Sequence, residues 1–168
     1  MRLHPLIDEA IIISSEIPGA IFIGAVAVLA HTKYARESQD LDIAIESIPE
    51  QIFEKEYTIN KEGRKEVIRT PRRHKVDFYT KDVNGIPIEV IIHTAKDIKF
   101  DNRGSIKVVA LEILILAKYK TGRDQDSEDL YRIAQTKFED IDWAFMESIC
   151  TEYQLADIKV TLNHYRNS

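Results

Sequence analysis

Cysteine occurs once in 168 residues, at Cys150, so the chain forms no internal disulfide and offers no CxxC or Cys/His zinc pattern. Cys150 reads as a buried apolar residue. Glycine and proline are sparse, at 6 and 5 residues, and no low-complexity tract or internal repeat appears, which excludes fibrous and disordered classes. The longest apolar run, residues 21–30, falls short of the ~20 residues a membrane helix needs. Asp8, Glu9 and Glu16 stand where a signal peptide requires positive charge. The expectation is a cytoplasmic protein that does not engage a membrane. Positive charge is not in excess: 23 Lys and Arg against 28 Asp and Glu give a net charge of -5. Any anionic partner is therefore held by a local patch.

What is present is an ordinary globular composition, 44% hydrophobic and 30% charged, at the length of about one domain. Leu6, Ala10, Ile13 and Ile17 recur at helical spacing, and Pro18-Gly19 ends that helix. Residues 20–23 read as a short buried strand, and Gly24 opens an Ala/Val/Leu helix reaching about Lys33. Leu41, Ile43 and Ile45 alternate with Asp40, Asp42 and Ala44, the period of a strand with both carboxylates on one face. Strands are predicted at 66–70 and 75–80, and Asn84-Gly85 marks a turn. Residues 86–92 fit a strand, while Ile88, Ile91, Ile92, Ala95 and Ile98 suit a short helix. A last strand at 106–109 precedes an apolar helix at 111–120 closed by Thr121-Gly122. Asp126 is placed to cap the next helix, and two further helices cover 141–149 and 153–165. The fold class is α/β (α+β): a small mixed sheet with flanking helices over residues 1–109 and a helical segment over 110–168.

Two acids one pleat apart repel each other unless a cation lies between them. An Asp-x-Asp at a strand end therefore suits a hard divalent ion with substrate phosphates, although solvated acids on an exposed face read the same way. The preceding strand–turn–helix, Ile23-Gly24-Ala25, leaves backbone N–H groups free for an anion. Arg36 lies between the two features and has the geometry to clamp a phosphate. The dense cations Arg69, Arg72, Arg73, His74 and Lys75 read as a solvated hairpin or as an electropositive lip. Lys118, on an otherwise apolar helix, either snorkels to the surface or reaches a phosphate. Arg123 and Asp126 suit a capping ion pair.

The ordered residues Gly24-Ala25, Arg36, Ser38 and Asp40-Leu41-Asp42 resemble the signature of the nucleotidyltransferase superfamily, the DNA polymerase beta-like and minimal nucleotidyltransferases, with the AbiE-type toxins among the small stand-alone members. Leu111 to Lys118 with Arg123, Asp126 and Asp129 is similar to that family's later helical motif. The matched pieces span residues 21–134. Ala25 replaces a usual Gly or Ser, and Lys33 a frequent glycine. The resemblance implies Mg²⁺ or Mn²⁺ held by Asp40, Asp42 and a third carboxylate, Asp77 or its rival Glu89. It implies a nucleoside triphosphate (ATP or GTP among the choices) bound through Gly24, Ala25, Arg36, Ser38, Lys118 and Arg123. An acceptor hydroxyl on RNA or tRNA, a protein or a small molecule follows, as does a toxin paired with a cognate antitoxin. A non-catalytic nucleotide-binding or protein-interaction module is the alternative.

Overall fold

In a computed structural model, residues 4–34, 37–38 and 40–168 are described. His4 caps the first helix, α1 (Pro5–Glu16), by accepting from the Leu6 N–H at 3.2 Å, and Pro5 occupies the first turn, where its missing N–H costs nothing. The expected stripe, Leu6, Ala10, Ile13 and Ile17, is buried. Strand β1 (Ile21–Ile23) runs directly into α2 (Gly24–Thr32), and Lys33 ends that helix in the left-handed region. Helix α2 is apolar on nearly every side because it packs on the sheet and also against later helices.

Strand β2 (Asp40–Ala44) follows, then a 3-10 helix (Glu50–Lys55), a hairpin of β3 (Thr58–Glu62) and β4 (Lys65–Arg69), and β5 (Lys75–Tyr79). A small hairpin, β6 (Asp82–Val83) and β7 (Ile86–Pro87), leads into α3 (Ile88–Thr94). Strands β8 (Lys96–Phe100) and β9 (Gly104–Val108) precede α4 (Leu111–Thr121), α5 (Asp124–Lys137), α6 (Trp143–Ile149) and α7 (Glu152–Arg166). One mixed sheet has the order β3-β4-β5-β2-β1-β9-β8. Strands β1 and β2 are antiparallel, whereas β1 with β9 and β2 with β5 are parallel. Phe22, Leu41, Ile43, Ile113, Ile115 and Ile133 belong to one buried cluster that runs from the sheet into the helices that follow it. Among the described residues no helix is long and apolar enough to cross a membrane.

Three points differ from the reading of the sequence. Strands β3 and β8 were not expected. Both are edge strands: β3 exposes every residue of Thr58–Glu62, whereas β8 carries only a short alternation, Ile98 and Phe100 against Asp97 and Lys99, and Ile98 also fits the helical spacing from Ile88. Residues 86–92 divide: two of them pair as β7, and Pro87 then caps α3. Glu89 is thereby an exposed helical residue, not a strand residue. Asp126 is not the N-cap of α5. Arg123 holds that position, and Asp126, three residues on, accepts from the Arg123 backbone N–H at 3.3 Å.

Candidate active site

The site begins where β1 becomes α2 without an intervening loop. Ile23 is both the last strand residue and the helix N-cap, and it makes no side-chain capping bond. The first-turn N–H groups of α2 thus have no intrahelical acceptor and no cap. Gly24 has φ +60°, and a Cβ there would overlap the Asp42 carboxylate. Glycine is required by both the backbone and the neighbour. The same overlap places Asp42 against the positive end of the helix dipole.

Sheet register extends the row. Ile23 pairs with Asp42, and Asp42 pairs with Asp77 on β5. Directly paired residues on adjacent strands project to the same face, so the helix start, Asp42 and Asp77 lie side by side across three strands. Asp40 lies one pleat before Asp42, opposite Lys75. Tyr79 is one pleat beyond Asp77; burial, then the Asp42 and Asp77 charges, push this phenol above its ordinary range. Lys75 lies 3.7 Å from Asp77 in a half-exposed pair of little energetic weight.

A cavity of about 790 Å³ opens over this row. Its walls bring together Gly24, Ala25, Ser38, Asp40, Asp42, Asp77, Lys118 and Arg123. Arg36 lies outside the described residues. Glu89 does not line the cavity.

The far wall is a buried ionic cluster. The Lys118 ammonium lies 3.1 Å from Asp126 and 2.8 Å from Asp129. Thr121 donates to Asp126 at 2.7 Å, and Arg123 Nε does so at the same distance. Burial opposes the Asp126 charge, but bonds from Arg123, Thr121 and Lys118 prevail and hold its carboxyl far below the usual range. Lys118 neither snorkels nor projects freely into the cavity. Its charge joins α4 to α5. Arg123 is kept charged by its bond to Asp126, with smaller contributions from Asp42 and Tyr79, and its side chain is exposed.

The basic stretch before Asp77 is largely committed to protein carboxylates. Arg72 binds Glu9 at 2.6 Å and Glu16 at 2.8 Å, Arg69 binds Glu62 at 2.7 Å, and His74 faces Glu9 at 3.5 Å. The Arg72 and His74 contacts pin α1 to the β4–β5 turn, and the Arg69 contact joins β4 to β3. A groove of about 700 Å³ still runs past Arg69, Arg73 and Lys75, and it shares Ser38 and Asp40 with the main cavity.

Among the described residues, no three acidic, histidine or cysteine side chains form a ready-made cluster that could hold a metal ion. The donor chemistry nevertheless suits Mg²⁺ or Mn²⁺, which binds one or two protein carboxylates and completes its shell with phosphate oxygens and water. Asp42 and Asp77, adjacent and facing a cavity, match that demand. Reasoning from the sequence missed Tyr79 and Asn84. The spacing of Tyr79 from Asp77, two residues along a strand, was the available signal.

The mixed sheet, with its strand-to-helix junction set against the Asp-x-Asp strand, is a fold that this chain shares with solved structures. A crystal structure from H. pylori described as a "putative nucleotidyltransferase" superposes with a TM-score of 0.55 over 99% of this chain and 96% of that chain, at 14% identity. JHP933 from Helicobacter pylori does so with a TM-score of 0.53 over 98% and 90%, at 13% identity. No family model and no curated protein matches the sequence.

Proposed function

We propose that the chain is a metal-dependent nucleotidyltransferase that moves a nucleoside monophosphate from a nucleoside triphosphate to an acceptor hydroxyl. The observation that supports this best is the row formed by the α2 N-terminus, Asp42 and Asp77 within one cavity. The first-turn N–H groups of Gly24 and Ala25 receive phosphate oxygens, Arg36 and Arg123 add positive charge, and Ser38 lines the approach. Asp40, Asp42 and Asp77 would hold Mg²⁺ or Mn²⁺. That ion, when bound, offsets the triphosphate charge and polarises the α-phosphate. Asp77 takes the proton of the attacking hydroxyl; a new O–P bond forms at the α-phosphorus, the bond to the β-phosphate oxygen breaks, and pyrophosphate leaves.

The acceptor, an RNA or tRNA end, a protein hydroxyl or a small molecule, approaches along the groove past Arg73 and Lys75. Residues 1–109 supply the catalytic row and residues 110–168 the far wall. A toxin neutralised by a cognate antitoxin is the biological setting the family resemblance implies. The test is incubation with each labelled nucleoside triphosphate, Mg²⁺, and total RNA or protein. Label transferred to one pool supports the reading and identifies the acceptor.

A second reading, a nucleotide-binding or protein-interaction module without catalysis, draws on Ala25 in the phosphate turn and on the lack of a ready three-carboxylate cluster among the described residues. Nucleotide binding without transfer to any pool would favour it.

A further inference from the structure

The cavity has an apolar wall beside its charged one. Val83, on the β6–β7 hairpin, and Ala117, on α4, line it, with Ile91, Ile113 and Leu114 behind them. A nucleotide has the same two-sided character, with an anionic tail and a flat ring of low polarity whose edge makes hydrogen bonds.

Asn84 lines the cavity beside this wall. It occupies the turn of the hairpin with φ +53°, followed by Gly85 at φ +82°, the two left-handed residues of a tight hairpin turn. Its side-chain Nδ2 donates to the Ala117 carbonyl at 3.3 Å. Only the NH₂ end of an amide donates to a carbonyl, so this bond orients the group and leaves Oδ1 as the acceptor. Among the described residues, Oδ1 has no protein partner.

We propose that the apolar wall is the nucleobase subsite, and that Asn84 Oδ1 selects bases carrying an exocyclic amino group over those carrying a carbonyl at the same position. The inference rests on the nucleotide reading above. Adenine and cytosine offer an N–H donor from N6 and N4. Hypoxanthine and uracil offer a lone pair at the equivalent atom, which meets the lone pairs of Oδ1. Asn84 is exposed, so the preference is that of one hydrogen bond at a wet rim, about tenfold in affinity.

The test measures equilibrium binding of two matched pairs, ATP with ITP and CTP with UTP, in the presence of Mg²⁺, to the wild-type chain, Asn84→Gly and Asn84→Asp. Glycine preserves the left-handed turn, and aspartate keeps an acceptor in a residue that turns tolerate. The wild type is expected to bind the amino member of each pair about tenfold more tightly. Asn84→Gly should bind both members of a pair alike with an unchanged melting temperature, and Asn84→Asp should retain a preference. Equal binding within pairs by the wild type, or a preference that survives Asn84→Gly, overturns the proposal. If none of the four triphosphates binds to folded protein, the nucleotide reading fails and this inference falls with it.

Discussion

Two groups of aspartates face each other across the cavity, and they are built differently. Asp126 and Asp129 are fully buried, and Lys118, Thr121 and Arg123 supply donors at 2.7 to 3.1 Å. Asp40, Asp42 and Asp77 are exposed or half-buried, and Lys75 lies 3.7 Å from Asp77. The first group has its cation built into the protein and holds two helices together. The second lines a cavity large enough for a ligand. Similar side chains thus divide by burial: the enclosed pair serves as framework, and the open row is the one a ligand can reach.

The most severe way to break this contrast is to neutralise the open group. Asp42→Asn is nearly isosteric and relieves repulsion between neighbouring acids, so the melting temperature should hold or rise. Nucleotide transfer should fall by about three orders of magnitude, ~4 kcal/mol, in an incorporation assay. Unchanged transfer would remove Asp42 from the machinery.

The buried group should respond in the opposite sense. Lys118→Met leaves Asp126 and Asp129 without their shared cation, and about 3 kcal/mol of stability should be lost, read from denaturant midpoints. The effect of Asp126→Asn should be smaller, about 2 kcal/mol at neutral pH, and should depend on pH. The folded Asp126 is held below its unfolded value, so its contribution is complete above the ordinary carboxylate range near pH 4 and declines as pH falls further. Wild type and variant should therefore converge on acidification. A constant gap across pH 3 to 7 would mean that the charge of Asp126 is not what stabilises α5.

The smallest effect sharpens the boundary. Tyr79→Phe removes a phenol hydroxyl close to the Asp42 and Asp77 charges and should change stability by no more than about 1 kcal/mol. On the proposed reading it should weaken Mn²⁺ binding in the presence of nucleotide by about tenfold, as loss of a polar group beside carboxylates proposed to hold the metal would. Unchanged Mn²⁺ affinity, measured by titration, would make Tyr79 a spectator.

The open group was legible in the sequence because local periodicity encodes it. Strand alternation at 40–45 placed Asp40 and Asp42 on one face, and Gly24 announced the junction of strand and helix. The framework group was legible only in part, since the Arg123–Asp126 pair was expected from its i, i+3 spacing. That Lys118 meets Asp126 and Asp129 depends on how α4 and α5 cross after Gly122, and no spacing rule within a single helix contains that crossing. Glu89 illustrates a related limit: two residues of β7 and the cap at Pro87 decided between strand and helix, and the apolar pattern of 86–92 fitted both. Edge strand β3 escaped notice because exposure erases the alternation that would have identified it, and β8 because Ile98 also fits the helical spacing from Ile88.

The junction between β1 and α2 also limits how this chain can change. With no linking residue between Ile23 and Gly24, the helix inherits its rotational phase directly from the strand. One inserted residue there would turn the helix by about 100° about its axis, carrying its buried face out of the core and its leading amides away from Asp42. Loops elsewhere can lengthen, but this joint can vary only by substitution, and at Gly24 hardly even by that.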